Sequence, residues 1–211
     1  MPKRGLFITF EGPEGSGKTT HSKLLVEFLR ENGYKVLYTR EPGGTSISEK
    51  IREILLNSEN KDMDVVCEML LYMAARAQIV SEKILPALKK GYIVICDRFI
   101  DATVAYQGYA GGLDVNIIKN IGRLVTKGAY PELTFLLDID AKKGLSRAGR
   151  NKDRIEKRSI AYHNKVRKGY LSIARKESRR VKVVTALGDI SETHGKIRNI
   201  VLRKLCRLKI S

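Results

Sequence analysis

The chain has 211 residues, 43% hydrophobic and 30% charged, a balance that fits a folded protein and excludes a disordered one. Its apolar runs fall far short of the roughly 18 residues a membrane span needs, and no signal-peptide core follows Met1. The net charge is +17, and three scattered cysteines (Cys67, Cys96, Cys206) exclude a disulfide framework or zinc knuckle and point to a reduced, cytoplasmic protein.

Leu6–Glu11 is the first of five short apolar runs that read as buried parallel strands. The others are Lys35–Thr39, Tyr92–Asp97, Leu133–Asp138 and Val181–Thr185. After the first, Leu24, Leu25, Phe28 and Leu29 share a helical face that stops at Asn32-Gly33. Ile117, Ile118, Ile121, Leu124 and Val125 form a second face before Gly128. Ile197, Ile200, Val201, Leu205 and Leu208 form a third, with Lys196, Arg203 and Arg207 opposite. Strand alternating with helix implies one α/β domain whose parallel sheet is covered on both sides, with right-handed crossovers. The charge is uneven along it. Residues 1–141 hold 18 basic and 18 acidic residues, whereas residues 142–211 hold 22 and 5. That field suits nucleotides or nucleic acid as partners, and equally a heavily charged, solvated surface.

Chemistry is most concentrated in Gly12-Pro13-Glu14-Gly15-Ser16-Gly17-Lys18-Thr19, which matches the phosphate-loop pattern G-x-x-x-x-G-K-[ST] between a strand and a helix. The glycines let backbone N–H groups turn toward phosphate oxygens. Lys18 neutralises β/γ-phosphate charge, and the Thr19 hydroxyl helps to hold Mg²⁺. Parallel sheets bind ligands beyond the carboxyl ends of their strands, where Glu11, Glu14, Arg40, Asp97 and Arg98 all fall. Asp97 suits a Mg²⁺-bound water, and the planar fork of Arg98 suits a phosphate.

Further segments narrow the acceptor: Arg40-Glu41-Pro42-Gly43-Gly44-Thr45, Tyr72 through Gln78, Asp97-Arg98-Phe99, and Thr103 through Gly108. Together with the phosphate loop they resemble, nearly end to end, the thymidylate kinase family of P-loop nucleoside monophosphate kinases. The resemblance implies a five-stranded sheet of order 2-3-1-4-5 and transfer of the γ-phosphoryl group of MgATP to dTMP, a step toward dTTP. It also implies a homodimer. Tyr72 and Arg76, spaced i, i+4, then supply a stacking ring and a base-reading guanidinium. Thr103 reads the thymine edge, Tyr106 and Gln107 line the sugar and base, and Glu14 approaches the 3′-hydroxyl. Arg40 and Arg98 complete the dTMP site. The acceptor region spans about residues 40–108. A lid at about 146–158 carries Arg147, Arg150 and Arg154, one of which must reach the transferring phosphoryl because Gly15 leaves the phosphate loop without an arginine.

Some positions depart from the family. Ala102 stands where serine is usual, Phe99 where tyrosine or histidine is, Ile160-Ala161 are less polar than expected, and Lys157-Arg158 more basic. His21, His163 and His194 have no partner pattern and read as surface residues. Two alternatives compete: a kinase for another deoxynucleotide or a nucleoside, and a nucleic-acid-binding P-loop ATPase. The second lacks aromatic platforms or a helix-turn-helix signature, so contact with nucleic acid is expected to be non-specific and salt-sensitive.

Overall fold

The structure, a computed structural model, describes residues 5–147, 149, 152–186 and 188–210. Strands β1 (Leu6–Glu11), β2 (Val36–Arg40), β3 (Ile93–Asp97), β4 (Leu133–Asp138) and β5 (Val181–Thr185) pair in parallel in the order β2-β3-β1-β4-β5. Only β2 and the start of β3 differ from the expected runs, each by one residue. Between and after the strands lie α1 (Lys18–Glu31), α2 (Ser46–Leu56), α3 (Val65–Ile79), α4 (Leu85–Lys89), α5 (Ile100–Thr103), α6 (Val115–Thr126), α7 (Ala141–Arg147), α8 (Ile160–Lys176) and α9 (Ile190–Leu208). π-helical segments, Val80–Ile84 and Val104–Ala110, continue α3 and α5.

Alternation along the buried strands builds two apolar layers. Leu6, Ile8 and Phe10 of β1 pack with Leu25 and Leu29 of α1 and with Ile197 and Val201 of α9. Phe7 points the other way, into Met73 of α3, Ile118 of α6 and Val166 of α8. It meets Phe99 edge-on at 4.9 Å, a geometry worth about 1 kcal/mol beyond burial. The register sets Phe10 and Arg40 on either side of Asp97, so the strands' carboxyl ends share one edge of the sheet. Among the described residues no helix is long and apolar enough to cross a membrane.

Two expectations need correction. On α6 the buried positions are Ile118, Gly122 and Thr126, while Ile117 and Leu124 are 54% and 76% exposed. The apolar stripe is wider than the face the core can cover. His21 and His163 are buried and His194 is half-buried, rather than lying on the surface. Burial lowers the pKa of all three, which favours the neutral imidazole.

Candidate active site

Where β1 ends at Glu11 the chain turns through the phosphate loop into α1. Gly17, at φ 84°, begins that helix without a side-chain cap, so the first-turn N–H groups are left for an anion. Gly15 is left-handed at φ 65°, and a Cβ there would lie 2.0 Å from the Gly144 carbonyl oxygen of α7. The loop and α7 touch through backbone, so no side chain fits at position 15. Lys18 folds over the loop, donating to the Pro13 carbonyl at 2.8 Å. Burial and then Arg98 pull its pKa down to about 8, against the pull of Glu14 and Asp97. Thr19 Oγ1 donates to Asp97 Oδ2 at 2.5 Å, which brings a hydroxyl and a carboxylate together at the end of β3.

Lys18, Thr19, Asp97 and Arg98 open onto a cleft of about 600 Å³. Arg40 lines the same cleft, but its half-exposed guanidinium grips both oxygens of Glu49 at 3.1–3.2 Å. It therefore stands at the cleft mouth. A second, smaller cavity of about 180 Å³ adjoins, with Tyr72, Thr103, Tyr106 and Gln107 on its walls. Glu14 and Arg98 face both spaces.

Arg98 marks the junction. Its backbone is left-handed at φ 69°, a conformation that costs a non-glycine residue on the order of 1–2 kcal/mol. The fork is nonetheless fixed. Nη2 donates to Glu14 Oε1 at 2.7 Å, while Nη1 donates to the Gly12 carbonyl and to the Tyr170 hydroxyl, both at 3.2 Å. The Tyr106 hydroxyl donates to the same Glu14 oxygen at 2.7 Å, and its ring lies 5.1 Å from the Arg98 guanidinium. Burial pushes Glu14 up, but Arg98 and Lys18 outweigh it and hold the carboxyl down at about 2. Beneath the loop, Glu11 accepts from Phe99 N at 2.7 Å and Tyr170 OH at 2.8 Å. Burial and Asp101 push its pKa up to about 8.

Arg76 sits one layer behind the cavity wall. It is 1% exposed, and it donates to Glu41 Oε2 at 2.8 Å, Thr103 Oγ1 at 3.1 Å and the Phe99 carbonyl at 3.0 Å. The arginine expected to read the base thus reaches Thr103, with most of its donors held by protein. Burial raises Glu41 to about 7 although Arg76 opposes it.

The three lid arginines separate. Arg147 ends α7 beside Gly15 and is exposed, donating to the Ala186 carbonyl at 3.3 Å. Arg154 is 5% exposed and turned away from the phosphate loop: Nε donates to the Leu55 carbonyl at 2.9 Å, and Nη2 lies 2.6 Å from Glu68. Arg150 lies outside the described residues.

Sequence reasoning missed Glu41, Arg52, Glu68, Asp153, Glu156 and Tyr170. Arg52 lines both spaces and donates to the Pro42 carbonyl at 2.8 Å. Asp153 and Glu156 close the acceptor cavity from the lid side. A signal existed for Glu68, since Glu68, Tyr72 and Arg76 recur every four residues on α3. Tyr170 offers none, because its partners lie 72 and 159 positions away.

The chain and its fold have known relatives. The thymidylate kinase family model matches residues 10–197. A thymidylate kinase of Syntrophotalea carbinolica is 50% identical over 199 residues, covering 90% of this chain and 92% of its own. One from Symbiobacterium thermophilum is 47% identical over 203 residues, covering 96% and 95%. The crystal structure of thymidylate kinase from Ehrlichia chaffeensis superposes with a TM-score of 0.78 at 37% identity, covering 94% of this chain and 99% of the other.

Proposed function

The chain belongs to the thymidylate kinase family and transfers a phosphoryl group from ATP to dTMP, giving dTDP and ADP, and we propose how its residues divide that work. The donor's phosphates occupy the cleft beneath residues 12–19, and dTMP fills the smaller cavity with its phosphate at Arg98. The observation that carries this reading is the junction: Glu14 and Arg98 face both spaces, so two nucleotides meet there end to end.

Lys18 and the N-terminus of α1 neutralise the donor's phosphates. Arg98, fixed at three points, grips the acceptor phosphate, and Glu14 orients the acceptor sugar through its 3′-hydroxyl. Tyr106, tied to Glu14, occupies the space a 2′-hydroxyl needs, which favours a deoxynucleotide. Tyr72 stacks on the base. Arg76 polarises the Thr103 hydroxyl, which reads the thymine edge. The transfer needs positioning and charge, with no covalent intermediate. Of the lid arginines, Arg147 is the candidate for the transferring group, because its chain passes over Gly15.

Thr19 and Asp97 suit Mg²⁺, since a hydroxyl and a carboxylate side by side are hard oxygen donors. Held there by Thr19 and Asp97, Mg²⁺ would neutralise phosphate charge.

The active unit is a homodimer of single-domain kinases, each with its lid at 146–158. Ile47 and Ile54 of α2, Val66 and Leu70 of α3, and Ile117 and Leu124 of α6 are exposed at heptad or i, i+4 spacing on neighbouring helices. Such a face suits a second copy. The cytoplasm keeps its thiols reduced.

Measuring ADP release across dTMP, dUMP, UMP, CMP and thymidine tests the site assignment: dTMP should lead, with UMP and thymidine far behind. ATP turnover indifferent to dTMP and stimulated by DNA would overturn it. For the dimer, Leu124→Glu should halve the sedimenting mass, and an unchanged mass would contradict that face.

A further inference from the structure

One buried carboxylate behind the acceptor cavity has no part in the steps above. Glu68 of α3 is fully buried. Its Oε2 lies 2.6 Å from Nη2 of both Arg154 and Arg158. The Arg158 approach is a well-directed hydrogen bond, whereas Arg154 Nη2 stands at ion-pair distance without hydrogen-bond geometry. Its other oxygen, Oε1, accepts from the side-chain amide nitrogen of Gln107 at 2.7 Å.

This last bond has a chemical consequence. A primary amide has a donor end and an acceptor end, while a carboxylate paired with two guanidiniums accepts at both oxygens. Glu68 can therefore be met only by the NH₂ end of Gln107. The Gln107 carbonyl oxygen is left to the cavity that this residue lines, and no protein donor reaches it among the described residues. The acceptor site then presents a hydrogen-bond acceptor at Gln107 beside the hydroxyl of Thr103, which Arg76 holds.

We propose that Glu68 is a positioning residue that selects the pyrimidine: by fixing the orientation of the Gln107 amide, it makes the site demand a donor at ring position N3. Thymine and uracil carry N3–H. Cytosine has a bare nitrogen there and would set two acceptors face to face. A site built to hydrogen-bond a substrate group rejects an analogue lacking it because its own buried polar group is left unpaired. Discrimination against cytosine nucleotides thus depends on a residue that touches no substrate. The inference rests on reading this cavity as the base pocket.

The test is the ratio of kcat/KM for dTMP over dCMP. Glu68→Gln gives position 68 a donor end of its own, so the Gln107 amide can turn over, and the ratio should fall by about 10-fold or more. Glu68→Asp keeps an acceptor at both oxygens and should hold the ratio within about threefold, whatever it loses in rate. Should E68Q fail to fold with Arg154 unpaired, E68Q/R154M removes the orphaned charge as well and should show the same fall. On the wild-type enzyme, dTMP methylated at N3 should be used about 100-fold less well than dTMP. A ratio unchanged in the folded glutamine variants, with N3-methyl-dTMP still rejected, overturns the role of Glu68 alone. N3-methyl-dTMP accepted as readily as dTMP overturns the base-pocket reading and this inference together.

Discussion

The two ends of the active site are built on opposite plans. The phosphate end is eight consecutive residues whose work is done by backbone, one lysine and a helix terminus. The acceptor end draws Glu41, Tyr72, Thr103, Gln107 and Glu156 from distant parts of the chain. Their cations differ in the same sense. Lys18 lines the open cleft, with Glu14 and Asp97 as the nearby acids, and Arg98 lines both spaces while paired with Glu14 at 2.7 Å. Arg76 is paired with Glu41, and Arg154 and Arg158 share Glu68. Cations at the first end serve a ligand, and those at the second hold the walls in place.

The sharpest way to break that contrast is Arg76→Ala. It removes the guanidinium from a buried pair, and breaking such a pair from one side costs up to about 3–5 kcal/mol, less where the carboxyl left behind protonates as Glu41, already raised to about 7, would do. Urea unfolding should show a loss up to that size. A variant as stable as wild type would mean that Arg76 is spent on substrate and not on architecture. Next comes Lys18→Ala, which should lower kcat by roughly 10²- to 10³-fold, the cost of one transition-state donor, with the unfolding midpoint scarcely moved. Near wild-type kcat would remove the phosphate-loop assignment.

Acidity sharpens the same contrast. With Lys18 held at about 8, the free enzyme loses this cation as pH rises through 8, while Glu11, also raised to about 8, gains negative charge beneath the loop. Both changes repel phosphate. kcat/KM for ATP should therefore fall by up to about tenfold per pH unit above 8. A flat profile to pH 9.5 would contradict it. Glu14 works at the other extreme. Its carboxyl lies near 2 against an ordinary 4.5, so its contribution to stability is present above pH 4.5 and lost as pH falls toward 2.

The smallest expected effect is on the outer face of α9. Lys196, Arg203 and Arg207 changed to Gln should leave dTMP phosphorylation unaltered while abolishing retention on DNA at low salt. Wild-type retention should itself vanish near physiological ionic strength. Tight binding at that salt, lost in the variant together with altered catalysis, would give the basic face a function.

What could be read from the sequence follows the same division. Buried parallel strands announce themselves as continuous apolar runs, and a phosphate loop is local by nature, so the sheet and residues 12–19 were both legible. Arg154 was not. Its lid-like setting pointed to phosphate, but Glu68 and the carbonyls of Leu55 and Leu56 claim it from about 90 residues away. Part of the lopsided charge is likewise answered inside the fold. Arg154 and Arg158 pair with Glu68, Arg167 with Asp138 and Arg180 with Asp101, so basic residues of the last third are matched to acids of the first two. Ile117 and Leu124 of α6 carried the right apolar spacing and the wrong inference, since periodicity does not say what covers a face.

Separate calorimetric titrations of wild type and Tyr72→Ala with dTMP and with ATP test whether the two ends, which share Glu14 and Arg98 at their junction, bind their nucleotides separately. Tyr72 lines the acceptor cavity and is absent from the phosphate cleft. Losing its stacked ring should weaken dTMP by about 1–2 kcal/mol, roughly 5- to 30-fold in Kd, with the Kd for ATP changed by less than about threefold. Equal weakening of both nucleotides would contradict the account.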